Sequence, residues 1–129
     1  MRVHNVHERA LAAAPETVVA LFGEMEELWP THVFPAPEPD GEALRLGMMV
    51  WQPVERVGSP QAYDIVAPEG FKASHWFEVG EGADGGAILR HTVTGEAVGE
   101  FEPAWRDRIE PLHNAYMEAL FDRAQEKLA

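Results

Sequence analysis

The sequence predicts an α+β fold: a curved antiparallel sheet of about six to seven strands wrapped around a long C-terminal helix, with two short helices after the first strand. Three observations carry that expectation. Residues 43–102 divide into short runs separated by glycine and proline clusters at regular spacing. Residues 103–129 carry one apolar stripe at helical spacing. Residues 1–12 alternate as a strand does, then lead into Pro15, which suits the first turn of a helix.

Each element follows in order. In the first strand Val3, Asn5, His7, Arg9 and Leu11 share one face, and His4, Val6, Glu8, Ala10 and Ala12 the other. Pro15 and Glu16 open a short helix whose apolar side is Val18, Val19, Leu21 and Phe22, and Gly23 is expected to end it. Glu24 to Trp29 reads as a second short helix stopped by Pro30. Prolines at 30, 35, 37 and 39 make residues 30–42 an extended loop, with His32 a solvated loop histidine or part of a lid. Strands are expected at 43–47, 48–57, 61–67, 71–80, 86–95 and 97–102, with Gly95 dividing the last two. In the final helix Trp105, Ile109, Leu112, Tyr116, Leu120, Ala124 and Leu128 share a face, widened by Met117 and Phe121, and Pro111 predicts a kink near residues 107–111.

The sheet has an apolar face to cover and the helix a stripe to bury. A bent sheet that grips a long helix cannot meet it everywhere, so a cavity is expected between them. Alternation puts Phe71, Ala73, His75, Phe77 and Val79 on one face, and Leu89, His91 and Val93 on the apolar face of the next strand. A turn at 81–85 then sets His75 near His91 and Phe77 near Leu89. His113, beside the helix stripe, points toward the same space. The candidate lining set is Trp51, Tyr63, His75, Phe77, Leu89, His91, Trp105, Ile109, Leu112, His113 and Tyr116. Its aromatic members combine an apolar body with polar handles, which suits an amphipathic ligand.

His75, His91 and His113 are also the candidate catalytic residues, since imidazole titrates near neutrality and can move a proton. The simpler reading is three core-edge histidines, each satisfied by a neighbour. No His-x-His or i, i+4 pair is present, so no metal site is expected. His4 reads as solvent-facing, while His7 lies on a strand whose orientation the sequence leaves open.

Composition narrows the function classes. The 129 residues make one domain's worth of chain, read as a single domain over 1–129. Zero cysteines exclude disulfides, thiolate metal sites and a cysteine nucleophile. Ten Lys plus Arg against 22 Asp plus Glu give a net charge of −12, which disfavours nucleic acid and anionic membranes. No signal peptide or apolar span is legible, so a cytoplasmic, soluble monomer or homodimer without a cofactor is expected. Gly80, Gly82, Gly85 and Gly86 form a hairpin connection rather than a phosphate cradle.

Four stretches in order, LAAAPETVVALF at 11–22, APEGFKASHWFEV at 67–79, GGAILRHTVTGE at 85–96 and WRDRIEPLHNAYMEALFDRAQ at 105–125, resemble the SRPBCC superfamily, which includes START domains, the major birch-pollen allergen and polyketide cyclase/dehydrase-like proteins. The resemblance implies the helix-grip fold and a cavity for lipids, sterols, polyketides, plant hormones or quinones, in which some members catalyse cyclisation or dehydration. The chain is short for that superfamily and departs from its pattern around 43–63, which implies a cavity that is small or open at one side. Three functions follow as expectations. The first is a binding module for a small hydrophobic molecule such as a lipid, polyketide or quinone. The alternative is a polyketide cyclase or dehydratase using the cavity histidines as general acid and base. The third is an interaction domain that offers its sheet edge or proline-rich loop to a basic partner.

Overall fold

The computed structural model describes residues 1–31 and 35–129; His32 lies outside them. Seven strands form an antiparallel sheet in the order β1-β7-β6-β5-β4-β3-β2. They are β1 (Arg2–Leu11), β2 (Glu38–Asp40), β3 (Ala43–Leu46), β4 (Met49–Pro53), β5 (Gln61–Ala67), β6 (Phe71–Glu81) and β7 (Ala87–Ala97). After β1 come α1 (Pro15–Ala20), a 3₁₀ turn (Leu21–Glu24) and α2 (Met25–Leu28). After β7 come α3 (Phe101–Ala104), a π-helical turn (Trp105–Ile109) and α4 (Glu110–Lys127). The fold is the helix-grip arrangement: sheet on one side, C-terminal helix across its concave face, two short helices at one end.

The concave face is built by alternation, as the sequence indicates. Phe71, Ala73, His75 and Phe77 of β6 are buried, as are Leu89, His91 and Val93 of β7. On the convex face Trp76 is covered by the guanidinium of Arg56, 3.5 Å from its ring centroid, and its Nε1–H donates to Glu78. Phe22 packs on Phe77 with centroids 4.9 Å apart, where α1 lies against β6 and β7. Trp29, at the end of α2, reaches both Trp51 and Tyr116.

Several expected boundaries are corrected. Gly23 does not end the first helix but sits inside the 3₁₀ turn that joins α1 to α2. The proline-rich stretch contains a short strand, β2, which pairs with β3 through Pro39↔Leu44. Proline is tolerated there because β2 is an edge strand with no further neighbour to supply. The expected strand 48–57 spans only Met49–Pro53, with a register shift at Val50–Trp51. Residues 97–102 are not a strand, since β7 runs through Gly95 to Ala97 and α3 begins at Phe101. A Cβ at Gly95 would run into the backbone of Lys72 and Ala73 on β6, so this glycine admits a close strand approach instead of ending the strand. The irregularity expected around Pro111 takes the form of the π-helical turn just before it. Pro111 has no N–H to give, and the extra residue in that turn absorbs the missing bond.

Candidate functional site

Between the concave sheet and the C-terminal helix lies a cavity of about 420 Å³. Trp51 and Tyr63 line it from β4 and β5, His75 and Phe77 from β6, and His91 from β7. Trp105, Ile109, Leu112, His113 and Tyr116 close it from the helical side. Of the residues proposed from the sequence, Leu89 does not reach it. Leu89 is buried, but it lies two residues nearer the β6–β7 connection than His91, where α1 covers the sheet. Leu112 lines the cavity while remaining 59% exposed, so it is not a core residue. Met48, 63% exposed, and the exposed Arg108 also line it, and these three mark where the cavity meets solvent.

Further lining residues were not singled out in the sequence. Phe71, Ile65 and Val93 share faces with chosen residues, and alternation alone would have included them. Met49, two residues from Trp51 on β4, also follows by alternation, whereas Trp29, Phe101 and Ala104 gave no periodic signal, because their positions depend on how α2 and α3 close over the sheet.

The expected pairing of His75 with His91 is two residues out of register. Phe77 stands opposite His91, Val79 opposite Leu89, and His75 opposite Val93. The strand connection is centred on Asp84, which takes a left-handed conformation at φ 53°, one residue later than a turn at 81–85 implies. An even slip preserves the faces. His75 and His91 are therefore diagonal neighbours on the concave side, and their rings still meet, with His75 Nδ1 3.3 Å from His91 Nε2. Trp51 sits edge-on to His75 at 4.4 Å, Tyr63 stacks on His75 at 5.2 Å, and the Trp51 and Tyr63 rings are themselves 5.5 Å apart. The His113 ring is 5.2 Å from His91, and the His7 ring 5.6 Å from His113. His7 thus faces the helix, bridging Asn114 and Glu118 of α4, while His4 is exposed.

This environment sets the protonation states. Burial lowers His75 to about 3, helped by the electrostatic effect of His113. Burial likewise brings His113 to about 3, with His7 adding to the effect. His91 is held well below its ordinary value by burial and then by His113, His75 and His7. Burial raises Tyr63, partly offset by the hydrogen bond from Gln61, and it raises Tyr116 with help from Tyr63. At neutral pH the imidazoles and phenols of the wall are therefore uncharged, and the charge among the described lining residues is that of Arg108 at the mouth. Among the described residues, Trp51 Nε1, His75 Nε2, His91 Nδ1 and His113 Nε2 are buried without a hydrogen-bond partner. The same residues include no cluster of His, Asp or Glu suited to a metal ion, and no helix long and apolar enough to cross a membrane.

No family model matches the sequence, and no curated protein matches it. Solved structures do. The crystal structure of Ara h 8.0201 aligns over 99% of this chain and 98% of its own, with a TM-score of 0.65 and 16% identity. A START superfamily protein from Mycobacterium smegmatis aligns over 98% of this chain and 96% of its own, with a TM-score of 0.59 and 14% identity. The di-domain ARO/CYC StfQ of the steffimycin biosynthetic pathway aligns over 99% of this chain but 51% of its own, with a TM-score of 0.65 and 11% identity. At these identities the likeness is one of fold, and this chain has the SRPBCC-type helix-grip fold.

Proposed function

We propose that the chain binds a small hydrophobic ligand, of the size and character of a lipid, polyketide or quinone, in the cavity between sheet and C-terminal helix. The observation that carries this reading is a cavity of about 420 Å³ walled by aromatic and aliphatic side chains, with three histidines among them. That volume and wall chemistry are those of small-molecule sites. Trp51, Tyr63, His75, Phe77, His91, Trp105, Ile109, Leu112, His113 and Tyr116 are proposed as ligand contacts. Three of the four tryptophans, Trp29, Trp51 and Trp105, line the cavity and supply an optical reporter. Titration with the neutral apolar dye N-phenyl-1-naphthylamine is expected to raise the dye's emission saturably and to quench tryptophan emission in step. A linear, unsaturable response with unchanged tryptophan emission would contradict the proposal.

A second reading is a cyclase or dehydratase in which His75, His91 or His113 moves a proton. The convergence of the three imidazoles favours it. Their suppressed basicity argues the other way, because a conjugate acid near 3 is far from the pH at which general acid–base work is efficient. With a poly-β-ketone substrate, this reading expects turnover that disappears when all three histidines become Gln. Persistent turnover in that variant would eliminate it.

A further inference from the structure

We infer that the cavity takes an amphipathic organic acid, with its apolar body among the aromatic side chains and its carboxylate at the mouth, where Arg108 is the counter-ion. The inference rests on reading the cavity as a ligand site, and adds the charge and direction of the ligand.

The chain carries 22 Asp plus Glu against ten Lys plus Arg. Even so, no carboxylate is among the described lining residues, and the charge they carry at neutral pH is that of Arg108. Arg108 lies in the π-helical turn, between Ala104 one turn before it and Leu112 one turn after, and all three line the cavity. Ala104 is buried and Leu112 is largely exposed, so this row of the helix runs from the interior to solvent, with the exposed Arg108 at the rim.

Arg108 is also uncommitted. Arg9, Arg45, Arg90 and Arg106 each hold a carboxylate. Arg106 takes Asp107, the chain neighbour of Arg108, at 3.0 Å. Arg108 has no ion pair or hydrogen bond among the described residues, which include every Asp and Glu of the chain.

The ligand's direction follows. An ionised carboxylate taken deep into the cavity would lose its water beside neutral imidazoles, with no cation to offset the loss. At the mouth it keeps part of its hydration and meets a guanidinium, whose planar fork matches the two carboxylate oxygens. The acidic surface opposes the approach of an anion, but at physiological salt that field is screened over about 8 Å, and direct contact with Arg108 is closer than that.

The test compares 6-phenylhexanoate with 6-phenylhexanamide, which differ in charge and hardly in shape, as competitors for N-phenyl-1-naphthylamine bound to the whole chain at physiological salt. Wild-type protein is expected to bind the acid more tightly than the amide. Arg108→Gln should lower the acid-to-amide affinity ratio about fivefold, the scale of an exposed ion pair. Arg108→Lys should keep most of the ratio and Arg108→Glu lower it further, while the dye and the amide bind all four proteins alike. An amide that binds the wild type as tightly as the acid, a ratio unchanged in Arg108→Gln, or failure of the acid to displace the dye would overturn the inference and leave the cavity a ligand site. Absence of saturable dye binding to the wild type would overturn both.

Discussion

His75, His91 and His113 stay neutral in the folded chain because they are removed from water and crowded by one another. That has a consequence for stability with a definite sign. In the unfolded chain each histidine binds a proton as pH falls through 6.5, whereas native His75 and His113 do so only near 3. Their contribution is fully present above pH 6.5 and is lost as pH falls from there toward 3. Each such group should approach a loss of about 1.4 kcal/mol per pH unit within that window. Urea unfolding between about pH 5 and 6.5, where carboxylates remain ionised, is expected to show this slope. His75→Gln should flatten it by up to about 1.4 kcal/mol per pH unit, and an unchanged slope would contradict the buried-neutral account. The facing of these residues was legible in the sequence because alternation has a period of two and survives an even slip in register. Their hydrogen bond was not, since it joins diagonal neighbours and depends on a turn centre one residue away from the one expected.

At the scale of elements, the strands that bear the site were legible and their ends were less so. Glycine served as punctuation in the sequence, yet Gly95 does the opposite, letting β7 continue past the β6 backbone. Pattern alone cannot separate a glycine that ends a strand from one that permits a close approach, because both need only the missing Cβ. Gly95→Ala is expected to destabilise the chain by about 3 kcal/mol, since the added carbon meets backbone that cannot yield as a side chain can. Chemical denaturation measures this, and a loss below about 1 kcal/mol would show that the strands relax freely there. The C-terminal helix shows the converse. Its apolar stripe was visible, but not the polar seam by which α4 also holds β1. There Asn5 donates to Glu110 and Asn114, and Arg9 to Glu118, Asp122 and Gln125, the last three spaced along one side of the helix. Nothing local in the sequence marks these polar side chains as contacts, because nothing local indicates which strand the helix crosses.

For the whole molecule, a long helix laid across a bent sheet leaves unfilled space, and the side chains facing that space are mostly apolar. The net charge of −12 keeps the outer surface strongly acidic, while the histidines of the cavity wall stay neutral. The general presence of a hollow followed from sheet curvature and helix length. Its contents did not, because Trp29, Phe101 and Ala104 come together only when α2 and α3 close over the sheet. Ala104 gives the most direct way to test the hollow as a binding site. It is buried and lines the cavity, so a larger side chain there is expected to take up part of the hollow. Calorimetric titration of N-phenyl-1-naphthylamine into wild-type protein and Ala104→Leu is therefore the deciding measurement. The account predicts one-to-one binding with a negative heat-capacity change in the wild type, an affinity at least about tenfold lower in the variant, and folding stability within about 1 kcal/mol of wild type. Equal affinity in the two proteins, or no saturable binding in either, would contradict it.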